Sequence, residues 1–416
     1  MSKSKLDFAI NQMSNLVLLS ELFPGCLKGL NILGCSHLTK ETGVLIKTLY
    51  QLGANINWCA SNIYSSQNDI VDEIKKHGWC HKIKGKKNMD NNEFWNNILE
   101  VLNFKDGRGP DIIIDNGITL TALIHVNISD NYIGDKSIQK IQEIRKLRHK
   151  NHWDKIKANV KLFIQQTTSG HFYLRWLEEK GLLFTPVIDI NSSITKCKID
   201  NRYGCANSCI EALKNAKINL SGINVMVVGY GNVGTGIATA LRDNKAYVYV
   251  AEIDPICALK ATMEGFHVDK IKNLIGKQDL IITCTGRKQV ITTELILMMK
   301  NGAKIGNMGY SNFEIDIEGL KLLTENKETI LPYVEKYSLV NKKEITLLSS
   351  GELINLSLGE GHPSHIMSLT HSNIIYAILD FVREKRYSEN KIYYLDRNIQ
   401  NEIAMQYLNC NNIRID

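Results

Sequence analysis

A glycine-rich turn between a strand-like run and a helix-like run constrains the fold of this chain more than any other feature. Residues 223–228 have the apolar composition of a buried strand, and Gly229-Tyr230-Gly231-Asn232-Val233-Gly234 follows at once. Residues 235–242 have a helical pattern, and residues 246–251 form a second apolar run that ends at Glu252. This order predicts a βαβ unit of the dinucleotide-binding type.

Each part of the turn has a physical role in such a unit. Gly229 permits the tight turn, Gly231 lets the backbone approach a pyrophosphate, and Gly234 lets the helix lie close to the strand. The helix N-terminus offers N–H groups and a positive dipole end to the phosphates. Glu252 would accept hydrogen bonds from a ribose diol and repel a 2′-phosphate, so the predicted cofactor is NAD; a Rossmann-like domain that binds nothing is the alternative. The residues expected to bind the cofactor here are Gly229, Gly231, Asn232, Val233 and Glu252.

Length, composition and net charge place the chain among ordinary globular proteins. Its 416 residues are enough for two or three domains. The net charge of +7 is spread along the chain, so it does not demand nucleic acid as a partner. The ten cysteines include no CxxC pair or other metal-ligand spacing, so we expect free thiols, no metal site and a cytoplasmic location. No run of residues approaches the length of a membrane span, so we expect no membrane partner.

Strand-like and helix-like runs alternate on both sides of the glycine turn. The strand-like runs are residues 30–34, 55–59, 111–115, 279–283, 302–307 and 346–348, and helix-like runs include residues 41–52 and 70–76. This alternation predicts an α/β chain with two Rossmann-like doubly wound domains and a short helical segment at the C-terminal end. We expect a substrate-binding domain of residues 1–195 and 362–388, an inserted NAD-binding domain of residues 196–361, and an oligomerisation segment of residues 389–416.

Several segments together resemble one protein family. The glycine turn, with Glu252-Ile253-Asp254-Pro255 and Met263-Glu264-Gly265, resembles the NAD site of S-adenosylhomocysteine hydrolases. Further segments similar to that family are His37-Leu38-Thr39-Lys40-Glu41-Thr42, residues 61–67, residues 167–170, residues 193–201, Tyr203-Gly204-Cys205 and Gly361-His362-Pro363-Ser364. The series extends from near residue 30 to the end of the chain.

The resemblance implies a reversible thioether hydrolysis driven by internal redox chemistry. In that family NAD⁺ oxidises the 3′-hydroxyl of the bound nucleoside, and the resulting ketone acidifies the proton on C4′. Homocysteine then leaves from C5′, water adds, and the cofactor returns its electrons. The cofactor supplies the difficult step, while the protein supplies position and charge.

Lys196 and Asp200 match the family's pair at the 3′-hydroxyl. They are four residues apart, so on a helix or a tight turn both can face one ligand atom. Without the flanking segments, an i,i+4 surface salt bridge would be the better interpretation. With them, we expect a catalytic pair.

The resemblance also implies the other contacts of the site. Residues expected to hold the nicotinamide and its ribose are Thr167, Thr168, Ser169, Asn201 and Asn355. Residues that follow strands of the NAD-binding domain, where ligands bind in such sheets, are Thr285, Gly286, Met308 and Gly309. Residues expected in the adenine pocket are Thr39, Glu41, His362 and Met367. His37 matches the family's histidine near C5′, although alone it would more often be an ordinary polar residue, and Cys205 is a further catalytic candidate.

The chain departs from the family where the elimination chemistry should occur. The family has acidic residues at the places of Asn116 and Thr119, glutamate at Gln166 and histidine at Tyr310. Asn116, Gln166 and Tyr310 therefore remain candidates for the catalytic site but are neutral at pH 7. An amide cannot act as a general base, and the loss of one acid–base group typically costs about 10²–10⁴-fold in rate.

Two further departures concern partners and assembly. Between His125 and Gln166 the chain has an insertion relative to the family, and residues 140–150 predict a basic amphipathic helix. A solvated or packed helix is the default interpretation, and a binding site for an acidic partner is the alternative. The chain ends at Asp416 without the family's tail, whose lysine and tyrosine reach the NAD of a neighbouring subunit. We therefore expect weaker NAD binding and a homo-oligomer, either a dimer or a tetramer.

Three functions stay open at this point. The first is hydrolysis of S-adenosylhomocysteine or a close nucleoside thioether. The second is another NAD-dependent reaction on a nucleoside, in which 3′-oxidation precedes epimerisation or elimination. The third is a homologue that binds NAD and a nucleoside without turnover.

Overall fold

The structure is a computed structural model that describes residues 4–125, 136–309, 313–384 and 386–415. The chain divides into two compact units. The first unit comprises Met1–Lys196 and Met367–Asp416, and the second comprises Cys197–Ile366. Each unit has its own sheet with helices around it.

The strands of both units are numbered together in chain order. Their bounds are β1 Asn31–Ser36, β2 Asn55–Ala60, β3 Lys82–Lys84, β4 Ile112–Asp115, β5 Leu162–Gln165, β6 Val187–Asp189, β7 Asn224–Val228, β8 Tyr247–Ala251, β9 His267–Val268, β10 Leu280–Thr283, β11 Ala303–Asn307, β12 Thr324–Leu331, β13 Val334–Leu339, β14 Glu344–Leu348 and β15 Ile392–Tyr394.

Helices connect most of these strands. Their bounds are α1 Lys5–Gln12, α2 Ser14–Leu22, α3 Lys40–Gln51, α4 Asn68–His77, α5 Asn91–Val101, α6 Thr119–His125, α7 Lys136–Lys146, α8 Lys150–Asn159, α9 Thr168–Glu179, α10 Cys205–Asn215, α11 Asn232–Asp243, α12 Pro255–Met263, α13 Ile271–Leu274, α14 Thr293–Met298, α15 Ile317–Leu322, α16 Ile354–Ser357, α17 Ser364–Arg383 and α18 Arg397–Cys410. A π-helix, Thr195–Gly204, precedes α10.

The two sheets have the same central strand order. The first sheet runs β15-β6-β5-β4-β1-β2-β3, and its strand pairs are parallel. The second runs β12-β13-β14-β11-β10-β7-β8-β9, parallel from β14 to β9, with β12 and β13 added as an antiparallel hairpin. Within each sheet the six consecutive parallel strands take the Rossmann order 3-2-1-4-5-6. The predicted fold class is confirmed.

Parallel strands with helices on both faces must be apolar on both sides. All six residues of β1 and all four residues of β4 are buried. In the second sheet, Val225, Val227 and Leu280 pack in the same apolar cluster as α10 and α11, while Met226 and Ile281 pack in a cluster with α14. The continuous apolar runs in the sequence arise from this two-sided burial.

The basic helix predicted over residues 140–150 is interrupted. The helix α7 ends at Lys146 and α8 begins at Lys150. The amide groups of Leu147 and Arg148 donate to the carbonyl groups three residues earlier, which tightens the last turn of α7. The indole of Trp153 on α8 then donates to the carbonyl of Arg145 at 3.0 Å and holds the second helix against the first.

The two inserted helices contact the C-terminal end of α6. The Arg145 guanidinium donates to the carbonyl groups of Leu123 and Ile124, and the Lys157 ammonium donates to the carbonyl of His125. Cations at a helix C-terminus satisfy its unpaired carbonyls and its negative dipole end. The packed interpretation of the basic segment therefore describes Arg145, while Lys157 lies beyond that segment.

Candidate functional site

The glycine turn of the second unit has the geometry that each glycine needs. Gly229 has a φ of +96°, and a Cβ there would lie 3.1 Å from the carbonyl of Cys284. A Cβ on Gly234 would lie 1.9 Å from the carbonyl of Gly229, so only glycine lets α11 approach β7 this closely. A Cβ on Gly231 would meet no atom within 4 Å, which leaves open space beside the backbone where a pyrophosphate can approach.

The helix after the turn begins at Asn232, with Gly231 as its N-cap and Val233 in its first turn. Its first turn presents backbone N–H groups, as an anion site requires. The ammonium of Lys198 donates to Oδ1 of Asn232 at 3.2 Å, which adds a positive charge beside this N-terminus. This arrangement suits a bound diphosphate.

Glu252 follows β8 and faces the glycine turn. One carboxylate oxygen accepts from the amide of Tyr230 at 2.5 Å, and the other accepts from the amides of Ile253 and Asp254 at 2.6 and 2.9 Å. The oxygen that accepts from Tyr230 has a further lone pair that can accept from a ribose hydroxyl. The hydroxyl of Tyr230 donates to the carboxylate of Glu264.

Two more loops follow strands at the same edge of the sheet. Thr285 and Gly286 come after β10, and Met308 and Gly309 come after β11. The strands β7 and β10 are neighbours at the point where strand order reverses, which is the ligand-binding edge of open α/β sheets. Thr285 and Gly286 therefore lie next to the glycine turn, and Met308 and Gly309 lie one strand farther along the sheet.

Asn355 on α16 has a buried side chain with an unused acceptor. It is 5 % exposed, and its Nδ2 donates to the Ser208 hydroxyl at 3.2 Å. Its Oδ1 is buried with no hydrogen-bond partner among the described residues. A buried acceptor without a partner is costly, so a donor group such as a nicotinamide carboxamide fits this position.

Asp200, His362 and Cys205 form a buried cluster. The Asp200 carboxylate lies 2.5 Å from Nδ1 of His362, and Nε2 of His362 lies 3.3 Å from the Cys205 sulfur. Burial lowers the pKa of His362, but the Asp200 carboxylate and the Cys205 sulfur raise it more, to about 10. The imidazole is therefore protonated at neutral pH and donates to the Asp200 carboxylate.

Lys196 and Asn201 lie on the same π-helix as Asp200. Lys196 is 8 % exposed and Asp200 is fully buried. π-helical turns are rare and occur frequently at functional sites. The surface salt-bridge interpretation fails, because neither side chain is at the surface.

In the first unit, His37 follows β1 and contacts a polar loop. Its Nδ1 lies 2.8 Å from the Ser65 hydroxyl, 3.2 Å from the Asn62 amide and 3.3 Å from the Ser61 hydroxyl. Thr39 occupies the N-cap position of α3. Glu41, in the first turn of α3, is buried and lies 3.5 Å from the Lys40 ammonium.

Asn116 follows β4 directly after a buried carboxyl, Asp115. One Asp115 oxygen accepts from the amide and hydroxyl of Thr121 at 2.8 and 2.7 Å, and the other has no hydrogen-bond partner among the described residues. Burial raises the pKa of Asp115 to about 6, although the bonds from Thr121 act in the opposite direction. Asp115 is an ionisable group that the sequence pattern alone does not mark as functional.

Gln166 and Thr167 follow β5 and are arranged by Gln165. The side-chain oxygen Oε1 of Gln165 accepts from the backbone amides of Gln166 and Thr167 at 2.9 and 3.0 Å, and from the Thr167 hydroxyl. Its amide donates to the carbonyl of Gly117 at 2.8 Å, which ties the loops after β4 and β5 together. No local pattern around Gln165 indicates this role.

The remaining predicted residues lie on two helices or outside the described residues. Thr167 caps α9 through a bond from the Gly170 amide, and Thr168 and Ser169 form the first turn. Met367 lies on α17 and is half-buried. Tyr310 lies outside the described residues.

Comparison with known proteins supports the assignment of the second unit. Residues 201–361 match the family model of the S-adenosyl-L-homocysteine hydrolase NAD-binding domain. This match and the glycine turn agree that the cofactor is NAD. No helix in the described part of the chain combines the length and apolarity that crossing a membrane requires.

Three solved structures are similar to this chain at low sequence identity. A dipicolinate synthase from Bacillus subtilis is 12 % identical, with 86 % of this chain and 98 % of that chain covered and a TM-score of 0.44. Phosphoglycerate oxidoreductase from Vibrio cholerae is 12 % identical, with coverage of 84 % and 99 % and a TM-score of 0.42. NAD⁺-bound 3-phosphoglycerate dehydrogenase from Entamoeba histolytica is 14 % identical, with coverage of 88 % and 99 % and a TM-score of 0.41. Residues 201–361 form an NAD-binding domain similar to that of S-adenosyl-L-homocysteine hydrolases.

Proposed function

We propose that this protein is an S-adenosylhomocysteine hydrolase-like enzyme. It would oxidise the 3′-hydroxyl of a bound nucleoside and cleave or form the 5′-thioether between adenosine and homocysteine. The observation that carries the proposal is the match of residues 201–361 to the NAD-binding domain of that family. The buried Asp200–His362–Cys205 cluster in the same unit supports it.

When bound, NAD supplies the oxidation of the sugar and its reversal. Asp200 is oriented by its hydrogen bond from His362, and its carboxylate is assigned to accept from the 3′-hydroxyl of the sugar. Lys196 is assigned to the same hydroxyl. Thr285, Gly286 and Asn355 would orient the nicotinamide end of the dinucleotide through backbone and carboxamide groups.

The first unit is assigned to the nucleoside. Thr39, Glu41 and Met367 would recognise the base, with the buried Glu41 carboxylate accepting from an exocyclic amine. His37 is assigned to the neighbourhood of C5′, where the loop of Ser61, Asn62 and Ser65 orients its ring. We further assign residues 389–416 to a homo-oligomer and the protein to the cytoplasm.

A second candidate function follows from two amide side chains. Asn116 and Gln166 stand at strand ends where a proton must be moved, and neither can act as a general base. This favours an enzyme that keeps 3′-oxidation but continues with epimerisation or elimination on another nucleoside. A homologue that binds NAD and a nucleoside without turnover would lack the oxidation step too.

One assay separates these functions. Purified protein is mixed with adenosine or S-adenosylhomocysteine, and both the NADH absorbance band and free homocysteine are measured. Release of homocysteine supports the hydrolase. Cofactor reduction without thiol release supports the second candidate, and no spectral change in a protein shown to bind both ligands supports a non-catalytic homologue.

Lys196→Ala tests the assignment of the oxidation site. We expect cofactor reduction to fall by about 10²–10⁴-fold, because a positioned group at the reacting hydroxyl is lost. Lys214→Ala, which changes an exposed lysine on α10, is the control and should leave reduction at the parent rate. Retained reduction in Lys196→Ala would mean that the site is misassigned.

A further inference from the structure

Glu314 is a fully buried carboxyl group at the edge of the second sheet, just before α15. Its backbone carbonyl accepts from the amide of Ile291 at 2.9 Å, and the neighbouring Phe313 carbonyl accepts from the amide of Gln289 at 2.6 Å. These bonds fix the main chain of Glu314 against the segment that follows the β10 loop. Its side chain points back toward that loop.

The Glu314 carboxylate binds the loop after β10 at three points. One oxygen accepts from the amide and the hydroxyl of Thr285, each at 3.0 Å. The other oxygen accepts from the amide of Gly286 at 2.6 Å. The Thr285 hydroxyl itself accepts from the Arg287 amide, so its hydrogen is directed to Glu314.

The same carboxylate turns back onto Gly309, near the start of the β11–α15 connection to which Glu314 itself belongs. A Cβ on Gly309 would lie 1.6 Å from Oε1 of Glu314, so the carboxylate occupies the space that any other residue at 309 would need. A Cβ on Gly309 would also approach the amide of Gly286 to 3.0 Å. The Glu314 carboxylate and Gly309 therefore both lie close to the backbone of the loop after β10.

We propose that Glu314 is a positioning residue of the NAD site, whose buried carboxylate holds the loop after β10, next to Gly309, in the shape that binds the dinucleotide. The three bonds all come from donors, which an ionised carboxylate satisfies. A glutamine keeps one acceptor oxygen and turns an amide group, itself a donor, toward another donor. Glu314→Gln therefore disturbs the loops while preserving the volume of the side chain.

The experiment measures the Kd for NAD by calorimetry on protein freed of cofactor. We expect Glu314→Gln to raise the Kd by about 10- to 100-fold, the range for losing hydrogen bonds to a charged group. The matched control is Asp279→Asn at the opposite end of β10, where a carboxylate accepts from the Asn224 amide at 2.9 Å and pairs with Lys300. The control should lose thermal stability and keep the parent Kd.

Two results overturn the proposal: a parent-like Kd in Glu314→Gln, or an equal rise in Asp279→Asn. Should Glu314→Gln fail to fold, Glu314→Asp keeps the charge but shortens the side chain, so its carboxylate cannot reach all three donors. A raised Kd in Glu314→Asp supports the proposal, and a parent-like Kd contradicts it. These measurements need no nucleoside, so their outcome does not depend on whether the proposed reaction is correct.

Discussion

The two sheets of this protein share a strand order but differ in the residues that come after their first strand. After β7 in the second sheet comes a turn of three glycines, in which a Cβ would clash at Gly234 and would meet open space at Gly231. After β1 in the first sheet come His37, whose side chain forms hydrogen bonds, and Thr39, which occupies the N-cap position of α3. The shared order places a ligand edge in each unit, and the residues at that edge decide which ligand it suits.

The difference also extends to the neighbouring strand. After β10 the backbone of Thr285 and Gly286 is held by a buried carboxylate. After β4 the chain presents Asn116 beside a buried carboxyl, Asp115, that has an unused oxygen. Backbone groups suit a dinucleotide, because many enzymes bind this ligand in the same way. Side chains suit a substrate, because its recognition is specific to one enzyme.

The largest expected effect comes from restoring acid–base groups in the first sheet. Asn116→Asp combined with Gln166→Glu should raise homocysteine release from S-adenosylhomocysteine by about 100-fold or more, because each general base is typically worth 10²–10⁴ in rate. Asn116→Asp with Gln166 unchanged is the partial control. An unchanged rate in the double variant would contradict the idea that the first sheet lacks a base.

Asp115 makes the stability of the first unit depend on pH. Its pKa is raised by burial from 3.8 to about 6, so its contribution is fully present below pH 4 and is lost as pH rises through 6. Relative to Asp115→Asn, the parent should lose roughly 3 kcal/mol over this window. Urea unfolding of both proteins at pH 4 and pH 7.5 measures the difference between their free energies of unfolding. The same difference at both pH values would contradict this prediction.

A pair of glycine variants should separate the two sheets. Gly231→Ala places a methyl group in open space, so we expect parent stability and a Kd for NAD raised by about tenfold or more, because the backbone bonds to a charged phosphate weaken. Gly34→Ala in β1 would place its Cβ 2.3 Å from the Trp58 ring, so stability should fall while the Kd stays the same. The contrast disappears if both variants change the same quantity.

The smallest expected effect concerns the inserted helices. Arg145→Ala should lower the stability of the first unit by about 1–2 kcal/mol, because α6 loses a partly buried cation at its C-terminal carbonyls. Arg148→Ala changes an exposed arginine between α7 and α8 and should have little effect. Equal effects in thermal unfolding would show that the contact with α6 contributes nothing.

Much of the fold could be predicted from local patterns. The helix expected over residues 41–52 is α3, Lys40–Gln51, and the apolar run at 302–307 is β11, Ala303–Asn307. Buried parallel strands and amphipathic helices have periodicities that a few residues reveal. The roles of the three glycines could also be predicted, because their spacing between a strand and a helix is itself the signal.

The organisation of the site depends on contacts between distant residues. Glu314 meets Thr285 across 29 positions, and His362 meets Asp200 across 162 positions. Gln165 could not be predicted for the same reason, since its amide binds the carbonyl of Gly117 in another loop. Such contacts depend on strand order, so they become visible only after the sheets are assembled.

The most direct test of the central claim follows the hydrogen on C3′ of the nucleoside. The NAD-loaded protein is incubated with adenosine that carries deuterium at C3′. The cofactor is then released and its mass is measured by mass spectrometry. The account predicts a reduced cofactor that is heavier by one deuterium, and none in Lys196→Ala. An unlabelled cofactor in the parent protein, with adenosine shown to be bound, would contradict it.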